Sequence, residues 1–452
     1  MSTLSPGVAA LLAKGVQMPL PETVHVGPEV DPDRVSGRGV TLHPGCRVSG
    51  SETVISAGVT LGAEGPVTAI DVRLGPGASI AAGYAAKTVL LEGASLGSGA
   101  HAREGTLLEE QASAAHTVGL KQTILLPFVT LGSLINFCDC LMSGGTSRRD
   151  HSEVGSSYIH FNFTPDGDKT TPSLFGDVVH GVLLDQPAVF LGGQGGAVGP
   201  VTVGFGSVVA AGSVLRSDVG PGKLVVVGPP PAMTVDRSPA DYRSANRMVA
   251  KNLRYLGELA ALEAWHRHVR APFFAAQELG ALVGAGALAM LESARAERIS
   301  RLRAMLAKAP AENAAAATAR EHLDEVCRVV TSAVGPPPAG VVDGLVGQAG
   351  SVGYLDAVRA LDAGARAGVV GWLGGSLDAA WAEVATLLPG VARLPRTPIA
   401  SRRLAAPPPP PGSPPGGTTT SEIRDVGHGV LFARPSGRVG SRPRRSGCAP
   451  GR

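Results

Sequence analysis

The chain has 452 residues, a formal net charge of +3, 44% hydrophobic residues and only 4% aromatic residues. That length allows about three domains and a large core, which with so few rings has to be built from Val, Leu, Ile and Ala. The near-balanced charge argues against a nucleic-acid partner, and no apolar run is long enough to cross a membrane. Five scattered cysteines (Cys46, Cys138, Cys140, Cys327 and Cys448) do not read as a disulfide framework and fit a reduced, cytoplasmic setting.

Residues 1–36 read as a lead-in without the pattern of a secretory signal. From residue 37 to 236 a six-residue period dominates. Leu42 and Val48 keep it, as do Ile55, Leu61 and Val67, then Leu74 with Ile80 and Leu90 with Leu96. It is strongest at Val203, Val209 and Leu215, where small residues follow the first two. A left-handed parallel β-helix produces this pattern. Each flat side of a coil takes about six residues, points one aliphatic side chain inward and turns at a small residue, and coils must stack before any is stable. The period breaks between about 100 and 120 and again between 138 and 197, where loops or irregular coils are expected. The stretch from Lys223 to Ala232 reads as the exit of the β-helix.

Beyond it the period changes. Ser238 and Pro239 read as an N-cap and first helical residue, and Val249, Leu253, Leu256, Leu259 and Leu262 follow helical spacing. Helices are expected through Lys308, from Glu312 to about Ser332, and from Leu355 to about Leu388, with Pro310, Pro336 to Pro338 and Pro389 as breaks. Residues 237–392 therefore read as an α-helical domain. Residues 393–452, with Pro407 to Pro411 and six arginines from Arg434 onward, read as a disordered Pro/Arg-rich tail.

The chemistry-bearing residues gather around the second break. His151 and His160 are candidate catalytic bases, because a neutral imidazole titrates in the range that proton transfer needs. His160 lies two residues before Asn162, so on an extended side the two share a face. Asp139 and Asp150 are candidates to orient such a base. Lys169 offers a point charge to an anion, and the Asn162 amide can both donate and accept hydrogen bonds. His151, His160 and His180 lack a close pair, and Cys138-x-Cys140 lacks a second pair, so no metal site is expected.

Three blocks carry a family resemblance. Gly155, Ile159, Asn162, Asp166, Gly167 and Lys169 form the first, Phe175-Gly-Asp-Val178 the second and Pro200-Val-Thr-Val-Gly204 the third. In order and approximate spacing they resemble the acetyltransferase half of bacterial bifunctional N-acetylglucosamine-1-phosphate uridyltransferase/glucosamine-1-phosphate acetyltransferase. The resemblance implies a homotrimer and a sugar phosphate or nucleotide sugar as substrate, bound by Asn162, Asp166 and Lys169. It implies acetyl-CoA as co-substrate, lying near Gly199, Ala210, Ala211 and Gly212. The family's general base sits in a His-Leu-x-Tyr-Leu-Gly block, whereas Asn136-Phe-Cys-Asp-Cys-Leu141 here has no His. The catalytic assignment therefore passes to His151 or His160. A non-catalytic sugar-nucleotide-binding or trimeric scaffold protein is the alternative. A sugar-1-phosphate nucleotidyltransferase is weaker, because residues 1–60 hold no Gly-rich phosphate loop of that family.

Overall fold

Leu42, Leu61, Ile80, Leu96, Ala114, Leu131, Val154, Leu191, Val209 and Val225 stack in parallel register on one face of a prism. The computed structural model describes residues 4–160, 172–236 and 245–391. Val48, Ala69, Ala85, Ala102, Leu120, Phe137, Ile159, Ala197 and Leu215 line the second face. Ile55, Leu74, Leu90, Leu108, Leu125, Met142, Phe175 and Val203 line the third. These inward rows are buried, with Val225 at the open end only partly so. The result is a left-handed parallel β-helix of about 11 turns, followed by helices.

The coil begins earlier than residue 37, because Gln17 pairs with Thr41, His25 and Val26 with Arg47 and Val48, and Val35 with Ile55. A short helix, α1 (Pro6–Ala13), closes this end with Val8 and Leu11 fully buried.

The two expected breaks resolve differently. Through 100–120 the coil is regular: Ala102, Leu108, Ala114 and Leu120 keep the six-residue step, and the two alanines mask it in the sequence. The second break holds true insertions. Most first-face steps run 16 to 19 residues, but Leu131 to Val154 takes 23 and Val154 to Leu191 takes 37. The extra chain includes an antiparallel hairpin, Gly145–Ser147 with Asp150–His151, and a short helix, α2 (Val178–Gly181). The corner between the second and third faces is also not reserved for small residues. Asp71, Lys87, Gln122 and Asp139 occupy it with φ of 50°, 48°, 50° and 56°, the left-handed turn that a tight corner needs.

The outward rows decide what covers each face. On the first face the outward row runs Thr41, Thr60, Ser79, Ser95, Ser113 and Thr130, all half-buried, and continues through Glu153 to the exposed Phe190, Val208 and Leu224. On the third face it is Val54, Arg73, Val89, Leu107, Ile124, Leu141, Leu174 and Thr202, in which the six aliphatic side chains are each 2% exposed or less. Helices cover that aliphatic row: α3 (Ala245–Trp265), α4 (Ala271–Ala275), α5 (Gly280–Lys308), α6 (Ala314–Thr331), α7 (Asp343–Val346), α8 (Tyr354–Arg359) and α9 (Ala363–Leu387) share one apolar cluster with it. Val249, Leu253, Leu256, Leu259 and Leu262 of α3 are all buried, as their spacing requires. The segment expected as one helix from 355 to 388 is two, because Asp362 starts α9 by accepting the Ala365 N–H at 2.8 Å. The N-cap assigned to Ser238 and the tail from 393 onward lie outside the described residues. Among the described residues no helix is long and apolar enough to cross a membrane.

Charge pairs with buried cations tie the helices to the coil corners. Lys251 of α3 pairs with Asp218, and Arg298 of α5 pairs with Asp139. Between α3 and α4 a π-helical turn, His266–Arg270, presents both of its end residues to the Glu109–Glu110 corner. His266 Nε2 lies 2.7 Å and Arg270 Nη1 2.9 Å from Glu109 Oε1, while Arg270 Nη2 takes Glu110 Oε1. The Arg270 guanidinium also lies 4.2 Å from the Tyr354 ring centre. Burial alone would raise the Glu109 carboxyl, but the Arg270 charge and the His266 hydrogen bond outweigh it and hold it below the usual range. Burial pushes Glu110 up to about 7 against the Arg270 charge, with the Glu109 charge adding to the rise.

Candidate functional site

His160 follows the second-face strand Ser157–Ile159, where Ile159 points inward and the chain turns toward the third face. Its Nε2 lies 2.6 Å from Ser173 Oγ, at the start of the third-face strand Ser173–Phe175. Ser173 Oγ already accepts the Val201 N–H at 2.9 Å. A hydroxyl has one donor and two acceptor lone pairs, so beside the Val201 N–H the Oγ either donates to Nε2 or accepts from it, according to the imidazole tautomer. Cys140 Sγ stands 4.0 Å from both ring nitrogens and donates to the Cys138 carbonyl at 3.0 Å.

Gly199 completes this nest. A Cβ there would lie 2.5 Å from His160 Nε2, so the ring depends on a glycine at 199. The packing thus joins His160 to Gly199, two residues singled out in the sequence for different reasons. Burial is the main influence on the imidazole and the Arg298 charge the second, and together they lower its pKa to about 3. Burial also raises the Cys140 thiol well above its ordinary value, with the Asp139 charge adding to it, so it stays protonated. At neutral pH the nest is an uncharged Ser–His–Cys cluster.

The remaining candidates are dispersed. His151 sits on the hairpin opposite Gly145, its Nε2 4.0 Å from Glu153 Oε2 and its Nδ1 buried without a hydrogen-bond partner among the described residues. Among the described residues no hydrogen bond or ion pair joins it to His160. Among the described residues no hydrogen bond or ion pair joins Asp139 or Asp150 to either histidine: Asp139 pairs with Arg298, and Asp150 accepts the Thr146 hydroxyl at 3.0 Å. His180 instead pairs with Asp177, Nδ1 to Oδ1 at 2.9 Å. Ala210, Ala211 and Gly212 form the turn into the second-face strand Val214–Leu215, whereas Gly199 lies just past the end of the neighbouring strand Gly195–Ala197. The two parts of the expected acetyl-CoA site therefore flank opposite ends of one face. At that turn the coils touch closely, because a Cβ on Gly192 would lie 2.3 Å from the Ala211 nitrogen. Asn162, Asp166 and Lys169 lie outside the described residues, in the segment that starts directly after His160. Among the described residues no group of His, Cys, Asp and Glu is placed to hold a metal ion.

Sequence reasoning missed Ser173 and the Glu109–Glu110–His266–Arg270 cluster. An isolated serine carries no signal. Two adjacent glutamates directly after the apolar Leu107 and Leu108 did carry one, as did the basic run from His266 to Arg270.

The stacked coils and their inward rows define the hexapeptide-repeat class of left-handed β-helix proteins. No family model matches the chain. Within that class it is similar to the bifunctional protein GlmU of several bacteria. The Nocardia farcinica protein is 32% identical over 194 residues, 43% of this chain and 35% of that protein. The Rhodococcus opacus protein is 30% identical over 193 residues, 42% and 34% of the two chains, and the Corynebacterium glutamicum protein 28% over 221 residues, 49% and 40%. The chain thus spans between a third and two fifths of the length of these curated relatives, and the likeness agrees with the resemblance drawn from the motifs.

Proposed function

We propose that the protein is a hexapeptide-repeat transferase that moves an acetyl group from acetyl-CoA to a sugar phosphate or nucleotide sugar, in amino-sugar metabolism of the UDP-N-acetylglucosamine type. The observation that carries this reading is the nest of His160 against Gly199 and Ser173, directly ahead of the segment with Asn162, Asp166 and Lys169. In the proposed reaction the sugar amine nitrogen attacks the thioester carbonyl, the CoA thiolate leaves, and a base takes the amine proton. His160 or His151 is that base. For His160 the incoming amine displaces the Ser173 hydroxyl from Nε2. Asn162, Asp166 and Lys169 hold the sugar and its phosphate, and the turns at Gly199 and Ala210 to Gly212 take the donor. A homotrimer in a reduced cytoplasm completes the reading, and the free Cys46, Cys138, Cys140 and Cys327 suit that setting.

One observation favours a second reading, a non-catalytic sugar-nucleotide-binding or scaffold protein. An imidazole whose pKa is lowered to about 3 is a weak base at neutral pH. Incubating the full protein with acetyl-CoA and glucosamine-1-phosphate, and following thiol release, separates the two. Release that falls at least about a hundredfold in His160→Ala or His151→Ala supports transfer. No release, with a rise in melting temperature on adding sugar phosphate or nucleotide sugar, supports the binding protein. Neither release nor a shift with any of these ligands defeats both.

A further inference from the structure

The three faces of the prism differ in what lies outside them. The third is covered by the chain's own helices. The second carries charge on its outer side, at Arg47, Arg103 and Lys121. The outward row of the first climbs one rung of about 4.8 Å per coil, about 40 Å from Thr41 to Leu224. Glu153 is the one charged member of that row.

Two features of the first face point to a covering layer. At its C-terminal end Phe190, Val208 and Leu224 stack in register, 40%, 38% and 75% exposed, and Val226 beside them is 74% exposed. A contiguous exposed apolar stripe marks an interaction surface. Next to the row, the residue after each inward side chain is small on consecutive coils: Ala81, Gly97, Ala115, Gly132, Gly155 and Gly192. The face is therefore level enough for a flat partner to approach closely.

The size and pattern of the face select that partner. Five residues of strand make it about 15 Å wide. The area is then roughly 600 Å² per copy, close to the 800 Å² or so per partner of a stable interface. A flat and nearly uncharged face of that length is matched by the same face of a second copy. When the copies run parallel, each rung meets its equivalent, apolar on apolar and hydroxyl on hydroxyl. An antiparallel copy would lay the apolar stripe on the Thr/Ser rungs.

We propose that copies of this chain pack in parallel through the first face, anchored by Phe190, Val208, Leu224 and Val226. The inference rests on the homotrimer of the proposed function only for the number of copies. Light scattering of the full-length protein on a sizing column tests it. The natural protein is expected to run as a multimer. Val208→Arg and Leu224→Arg are expected to weaken association by at least about a hundredfold, giving the mass of one chain. Thr68→Arg, on the outer side of the second face, is expected to leave the multimer intact. Should Val208→Arg fail to fold, Leu224→Arg decides, because that side chain is the more exposed. In Leu224→Cys, a bis-maleimide is expected to link copies in a way the natural protein does not show, as parallel packing requires. A monomeric natural protein, first-face variants that stay multimeric, dissociation by Thr68→Arg as well, or the absence of the added link would overturn the proposal. Thiol release tests the transfer reaction independently of assembly, so the two readings fail separately.

Discussion

The first and third faces of the prism are built alike inside and differently outside, and that difference sets the architecture. Both stack one inward aliphatic side chain per coil. The first face turns a Thr/Ser row outward from Thr41 to Thr130, and among the described residues no helix shares an apolar cluster with it. The third turns out Val54, Val89, Leu107, Ile124, Leu141 and Leu174, and becomes the floor of the helical layer. A β-helix needs the inward row to exist, and the outward row decides whether a face meets water or a second layer. On the third face two apolar residues per strand, as in Leu107-Leu108 and Ile124-Leu125, record the second layer in the sequence.

The largest expected effect comes from breaking the charge cluster that fastens the two layers. Arg270→Ala leaves Glu109 and Glu110 buried without their cation. A loss of about 3–5 kcal/mol is expected, read as a lower urea midpoint. A loss under about 1 kcal/mol would mean that water reaches the corner and the layers are loosely joined. Next comes the floor itself. Ile124→Ala removes an outward side chain with no exposed surface and should cost about 2–5 kcal/mol. The same change at an outward first-face position should cost far less.

What the sequence made legible follows from the same contrast. The inward rows repeat every six residues and were readable wherever the side chain is large, from Leu42 to Leu96 and from Val203 to Leu215. They were not readable at Ala69, Ala85, Ala102 and Ala114, because an alanine can fill the interior without marking the period. The helix breaks at Asp362 and at the π turn depend on tertiary docking more than on composition. Of the candidate site, the pairing of His160 with Gly199 was within reach, since both were named. Ser173 was not, because its role arises from a hydrogen bond across an insertion that sequence spacing does not measure.

A smaller effect separates the nest from the charge cluster by pH. The His160 pKa is depressed from 6.5 to about 3 in the folded protein, so the unfolded chain binds the extra proton. Its stability contribution is present above pH 6.5 and is lost as the pH falls from 6.5 toward 3. Glu110 runs the other way. Its pKa is raised from 4.5 to about 7, so its contribution is present below pH 4.5 and is lost as the pH rises through 7. Urea midpoints measured from pH 7 down to 4.5 should therefore fall less steeply in His160→Asn than in the natural protein. Parallel curves would show that the ring is hydrated and the nest open.

The smallest expected effect is the sharpest check on the comparison. Thr60 lies in the outward row of the first face, half-buried between Thr41 and Ser79. Valine keeps its branched shape, which suits a flat strand, and removes only the hydroxyl. If that face meets water, Thr60→Val changes stability by no more than about 0.5 kcal/mol in either direction. If the face is instead buried between copies of the chain, the hydroxyl has a partner there, and its removal costs about 1 kcal/mol or more. Measuring the variant at several protein concentrations separates the cases, since only a buried interface makes the midpoint depend on concentration. A concentration-dependent loss at Thr60 would show that the polar row, like the aliphatic one, is written for a covering layer, supplied by another copy rather than by the chain's own helices.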